Sequence, residues 1–257
     1  MLRTLLSRTI EQRRHLMLAR AHQTGDLHHP DVLKASQTVD RLIVLYQNLN
    51  SQIDSPHAED VIELIVGIVR ELDPELARHH DHVGTLASLM ADRLGLGRDG
   101  VRQANFAGRL LDLGKLLLSR KMLTKPGSLL PHEWKLIKLH PSLSTRLIEG
   151  IPSLKFVLPP ILYHHEYMNG DGYPVGLRGH AIPLGARILA VADTFNALTH
   201  PRPYRKKVYN VEESLMKILS LRGIRFDPQM IWALEQVLRS DDKNGLDLRI
   251  SCENGIK

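Results

Sequence analysis

The chain has one cysteine, Cys252, so neither an internal disulfide nor a thiolate metal site can form. It has no run of about 18 apolar residues, which leaves no candidate for a membrane-spanning helix. Its first residues, MLRTLLSRTIEQRR, lack the uninterrupted apolar stretch and small-residue cleavage site of a signal peptide. Alternation of apolar and polar residues over a useful length is also missing, which excludes a sheet as the main scaffold, and no internal repeat marks a solenoid. Aromatic residues make up only 5% of the chain. These absences predict a soluble, all-helical protein of a reducing cytoplasm.

What is present is histidine. There are 14 in 257 residues, many in clusters: His28 and His29, His79, His80 and His82, His164 and His165. The net charge of +6 favours an anionic partner. Apolar spacings of three and four divide the chain into a hairpin, a larger body and a tail. Residues 1–52 read as two helices broken at QTGDLHHP, Gln23 to Pro30. The first carries Leu2, Leu6, Ile10 and Leu16 or Met17 on one side. The second carries Val32, Ala35, Val39, Leu42, Tyr46 and Leu49, the seam of a coiled coil. A polar stretch with Pro56 sets a boundary near Ser55. Residues 56–240 follow as one helical body with expected helices at Val61 to Leu72, Pro74 to Leu94, Val101 to about Leu118, Pro131 to Leu139, Ser142 to Gly150, Leu184 to Leu198, Val211 to Leu221 and Pro228 to Leu238. Residues 241–257 read as a frayed polar tail.

Several side chains in the body have the chemistry of metal ligands. Asp73 and Pro74 start a helix, which puts Glu75 and His79 at i and i+4 on one face. Asp112 lies in the apolar run LLDLGKLLL, where a carboxylate facing the core needs a cation. A face turned to water, with Lys115 as an i+3 partner, is the alternative. His140 precedes Pro141 at a helix junction, where a capping histidine would look the same. His164 and His165 end an apolar helix before a glycine-rich turn, and Asp193 is the one carboxylate in RILAVADTFNAL. Imidazoles and carboxylates without thiolate suit a binuclear hydrolase that polarises a phosphate and generates hydroxide.

The order of Asp73-Pro74, His79, Asp112-Leu113-Gly114-Lys115, Lys125-Pro126-Gly127 with Glu133, His140-Pro141, His164-His165-Glu166, Gly172-Tyr173-Pro174, Ala192-Asp193 and Arg202-Pro203-Tyr204-Arg205 resembles the HD-GYP family. The resemblance runs from about Val61 to Leu238. It implies an all-helical metal-dependent phosphohydrolase that cleaves cyclic di-GMP to a linear dinucleotide or GMP, using two divalent metals, Fe or Mn. It implies His79, Asp112, His140, His164, His165 and Asp193 as metal ligands, with Asp112 bridging, and Glu75 as the extra ligand of members that hold a third metal. Lys115 would approach the scissile phosphate, Asn169, Gly172, Tyr173 and Pro174 would shape the pocket, and Arg202 and Arg205 would contact phosphate. The expected partner is thus a cyclic dinucleotide, with no membrane and no nucleic-acid polymer.

Two positions depart from that pattern. Leu111 stands where the family has the histidine of its HD dyad, and leucine has no lone pair to donate. Asn169 stands where the family usually has aspartate. The sequence therefore leaves open a weakened phosphodiesterase, a sensor that binds cyclic dinucleotide without cleaving it, or a scaffold that presents a surface to a partner such as a response regulator. The hairpin has a resemblance of its own. Ser36, Gln37 and Asp40 match the serine-glutamine motif and following aspartate of the small aspartyl-phosphate phosphatases that regulate sporulation, which implies docking on a response regulator. A homodimerising coiled coil is the other reading of the same seam.

Overall fold

The computed structural model describes residues 1–55, 57–201 and 207–244. Among these residues the regular elements are helices, with one isolated bridge between Arg222 and Phe226. By internal contacts the chain separates into two compact units, Met1–Arg78 with Arg146–Lys155, and His79–Thr145 with the described residues from Phe156 onward.

In the first unit α1 (Leu2–Thr24) and α2 (Pro30–Gln52) pack as the expected hairpin. Gly25 ends α1 in the left-handed region, at φ 64°. Pro30 opens α2, and His29 accepts the Asp31 N–H through Nδ1. The seam is shorter than the sequence suggests. Leu2, Leu6 and Ile10 are buried on α1, but Leu16 is exposed and Met17 only half-buried. On α2 Val32, Val39, Leu42 and Leu49 are buried, while Ala35 and Tyr46 are half-buried. The more apolar α3 (Ala58–Leu72) also packs on α2, and Arg41 reaches across to Glu71 with Nε–Oε2 and Nη2–Oε1 distances of 2.9 and 3.0 Å. The contact division at Arg78 differs from the sequence boundary near Ser55 because α3 shares its apolar face with α2.

Helix α4 (Pro74–Arg93) starts where expected, with Asp73 Oδ1 accepting the Leu76 N–H. In the second unit α5 (Gly97–Gly108) is followed by a 3-10 turn, Leu113–Leu117, and by the short α6 (Arg120–Leu123), α7 (Pro131–Ile137), α8 (His140–Ile148) and α9 (Leu158–Tyr163). The order closes with α10 (Leu184–Thr199), α11 (Val211–Leu219) and α12 (Pro228–Asn244). Helix α10 is central: α5, α9, α11 and α12 all pack on it. Its Ala186, Ile188, Leu189, Val191 and Ala192 are buried, as a helix enclosed on most sides requires.

The helix expected from Val101 to about Leu118 is a correction, because α5 ends at Gly108. Leu110, Leu111, Asp112 and Leu113 are all buried, so no face remains for water and the amphipathic alternative for Asp112 is lost. The following turn is pressed against the start of α8. A Cβ at Gly114 would meet the His140 carbonyl and the Leu143 and Ser144 backbone region, so only glycine lets this turn approach so closely. Ser144 fastens the junction by donating to Leu111 O at 2.8 Å and accepting from Gly114 N at 2.8 Å. Helix α12 extends to Asn244, so the first residues assigned to a frayed tail are helical. Among the described residues no helix is long and apolar enough to cross a membrane.

Candidate metal centre

The approach of the Gly114 turn to α8 brings Asp112 beside His140, and α4, α9 and α10 supply the remaining donors. Two groups result. His79, Asp112 and Asp193 form one and His140, His164 and His165 the other, with the ligand atoms within each group less than 4.8 Å apart. The two groups meet at Asp112. Its Oδ2 lies 3.5 Å from His79 Nε2, and its Oδ1 lies 3.0 Å from His140 Nε2. Asp193 Oδ1 is 3.1 Å from His79 Nε2.

The imidazole tautomers decide what these distances mean. His140 Nδ1 and His164 Nδ1 each lie 2.7 Å from a backbone carbonyl, Ile137 O and Ile161 O, so each Nδ1 carries the proton and donates. His79 Nδ1 donates likewise to Asn196 Oδ1 at 2.6 Å. All three rings therefore turn Nε2 inward, where the neutral tautomer offers a lone pair. Lone pairs face one another between His140 and His164 at 3.4 Å, and the His165 and His140 Nε2 atoms are 3.1 Å apart. Asp112 Oδ1, fully buried, has no hydrogen-bond partner despite the nearness of His140, since a bare lone pair cannot donate to it. Donors crowded so closely without protons between them fit divalent cations.

The electrostatics agree. Burial alone would raise the Asp112 carboxyl, but Lys115 and His140 outweigh it and hold the group well below the usual carboxylate range. Burial would raise Asp193 as well, but the adjacent His79 imidazole outweighs it and holds the group low. Burial, then the neighbouring His140, lowers His164 to about 4, and burial with His164 and His140 lowers His165. Both shifts favour the neutral imidazole, the form that could ligate a metal. His80, next to His79, is also fully buried with neither nitrogen hydrogen-bonded, and burial lowers it to about 3. Lys115 Nζ sits 2.5 Å from Asp112 Oδ2.

Three side chains that position the centre carry no role in the sequence reading. Asn196, three residues after Asp193 on α10, fixes the His79 tautomer. Ser144 holds the Asp112 turn on α8. Glu166, buried, accepts N–H bonds of 2.7–3.0 Å from Val175, Gly176 and Leu177, which ties the turn after the His164-His165 pair to the end of α9. Gly172 lies where a Cβ would overlap the backbone of His165, Glu166 and Tyr167, and Tyr173 stacks on His165 with ring centroids 4.8 Å apart. Burial pushes the Tyr173 phenol up, the Asp112 charge adds to this, and Arg225 opposes it.

The other residues named from the sequence lie as follows. Glu75 is exposed and belongs to neither group of donors. Asn169 is half-buried in the turn, its Oδ1 accepting the Asp171 N–H and its Nδ2 donating to Asp171 Oδ2 at 2.6 Å. Pro174 is exposed beside Tyr173. Leu111 is wholly buried. Ser36 is half-buried on α2, and Gln37 and Asp40 are exposed there. Arg202 and Arg205 lie outside the described residues.

An all-helical unit with a His/Asp centre of this kind has the features of a metal-dependent phosphohydrolase. Residues 56–230 match the HD domain family, and the chain belongs to that family. Residues 6–48 match the family described as Spo0E like sporulation regulatory protein. A protein of Thermotoga maritima named cyclic di-GMP phosphodiesterase is 35% identical over 176 residues, which cover 68% of this chain and 48% of that one. The cyclic di-GMP phosphodiesterase response regulator RpfG of Xanthomonas campestris pv. campestris is 39% identical over 156 residues, 60% of this chain and 41% of its own. This chain spans less than half the length of either relative. The solved structure of Bd1817, an HDG"Y"P protein of Bdellovibrio bacteriovorus, shares the fold with a TM-score of 0.56 and 19% identity, covering 79% of this chain and 72% of that one.

Proposed function

We propose that the helical body is a metal-dependent phosphodiesterase that opens cyclic dinucleotides, with cyclic di-GMP as the substrate and a linear dinucleotide or GMP as the product. The observation that carries this reading is the placement of Asp112, whose two oxygens face different donor groups and which could therefore serve both. The names of the Thermotoga and Xanthomonas relatives support the substrate. Fe or Mn suits a donor set of imidazole and carboxylate. When bound, such metals supply Lewis-acid stabilisation of a phosphodiester and a nucleophile at neutral pH. His140, His164, His165, His79 and Asp193 would hold them with Asp112, Asn196 keeps the His79 Nε2 inward, and Lys115 would offset charge at the phosphate. The Asn169 to Pro174 turn walls the pocket. A reducing cytoplasm, where such a nucleotide signal acts, goes with the lone Cys252.

The test is product analysis of cyclic di-GMP incubated with the full chain and Mn or Fe, with and without chelator. Turnover that stops with chelator and is lost in His165→Ala is expected. Turnover that resists chelator refutes the metal reading. Binding without turnover under every metal turns the body into a sensor, the outcome that Leu111 favours by leaving the group of His79, Asp112 and Asp193 with three protein donors.

The match of residues 6–48 favours a second activity in the same chain. In this reading the exposed Gln37 and Asp40 of α2 dock on a phosphorylated response regulator and hasten loss of its aspartyl phosphate.

A further inference from the structure

We propose that Lys138 and Arg225 form an anion subsite beside Tyr173 that takes the second phosphodiester of a cyclic dinucleotide. This rests on the phosphodiesterase reading above. One phosphodiester of such a substrate lies at Asp112 and its metals, and the other needs a counter-charge of its own. Lys115 is committed to Asp112 at 2.5 Å. Lys138 and Arg225 are not committed, because neither has a hydrogen bond or ion pair to a side chain among the described residues.

Their placement follows from the turn that carries Tyr173. Lys138 is exposed two residues before His140, and its Nζ lies 5.3 Å from the centroid of the Tyr173 ring, which itself stacks on His165. Arg225 lies in the segment between α11 and α12. The backbone of that segment grips the same turn, since Met168 N donates to Arg225 O at 3.3 Å and Asn169 N to Ile224 O at 2.9 Å. The Arg225 guanidinium rests on the Tyr167 ring, with Cζ 4.8 Å from the centroid, and on Phe226 at 5.0 Å.

Aromatic faces hold a cation in place without neutralising it. Among the described residues Arg225 Nε has no acceptor, so no protein group offsets the guanidinium charge there. The acidic groups of the two loops are engaged elsewhere: Asp171 accepts from Asn169, and Asp227 pairs with Arg187 at 2.5 Å. Two cations on ring faces at the turn that carries Tyr173, with Asp227 already paired to Arg187, make a place for a phosphate.

The test is equilibrium binding of cyclic di-GMP to the chelator-treated full chain across a salt series, with elemental analysis of the untreated protein alongside. Lys138→Met and Arg225→Met are each expected to weaken binding roughly tenfold and to reduce the salt slope by about one. Arg225→Lys retains the slope, because it keeps the charge, and all three variants keep the metal content of the unaltered protein. If the unaltered chain binds while both Met variants match it in affinity and slope, the subsite is wrong and the phosphodiesterase reading stands. If the unaltered chain binds no cyclic di-GMP, with or without metal, both fall together.

Discussion

Leu111 is the residue on which the strength of the metal centre turns. It is wholly buried, and its carbonyl accepts the Ser144 hydroxyl that also holds Gly114 N–H. The backbone beside Asp112 is therefore fixed whatever side chain stands at 111, and the substitution alters ligand supply rather than the course of the chain. Leu111→His is expected to raise metal bound per chain, since an imidazole next to Asp112 adds a donor to a group that has three. In the metal-stripped state the same change should cost about 1–3 kcal/mol, because a polar ring replaces an apolar side chain in the core. Elemental analysis and thermal unfolding of stripped and loaded protein check both signs, and a folded variant with unchanged metal content would remove position 111 from the centre. The candidate donors were legible in the sequence because His164, Asp112 and Asp193 interrupt apolar runs, where a polar group needs a partner. Asn196 was not legible, because its role depends on His79, 117 residues away in the chain.

Among the elements, the turn from Met168 to Leu177 has the clearest single support. Glu166 takes N–H groups from three consecutive residues onto one buried side chain. Glu166→Gln puts an amide N–H against those donors and breaks part of the set. Backbone amide exchange at Val175, Gly176 and Leu177 is expected to quicken by about tenfold or more, while amides in the middle of α10 keep their protection. Equal exchange at the three amides would show that the turn is held by Gly172 and the Tyr173 stack instead. Periodicity found most helices of the body, and it failed at α5. Leu110, Leu111, Asp112 and Leu113 are buried in succession, and a segment buried all round has no period from which a helix end can be read.

At the scale of the whole molecule, two family matches lie in tandem, 6–48 and 56–230. If α2 docks on a response regulator, the full chain should shorten the lifetime of the regulator's aspartyl phosphate, and Asp40→Ala should abolish this without loss of helix, since Asp40 is exposed. Circular dichroism and a phosphate-release assay across sporulation regulators give the answer. A lifetime unchanged by either protein would return the hairpin to packing or dimerisation.

By itself the sequence determined the class of fold and the inventory of donors. Helical period survives in local order, and histidine and aspartate keep their chemistry wherever the chain carries them. Tertiary structure alone decided which donors share a group, which ring nitrogens face inward, and that Asp112 turns one oxygen to each group. It also decided that Lys138 and Arg225 converge on one turn from segments far apart in the chain. The physical reason is that these features rest on directions of lone pairs and on close backbone approach, such as that of Gly114 to His140, and neither is encoded by spacing along the chain.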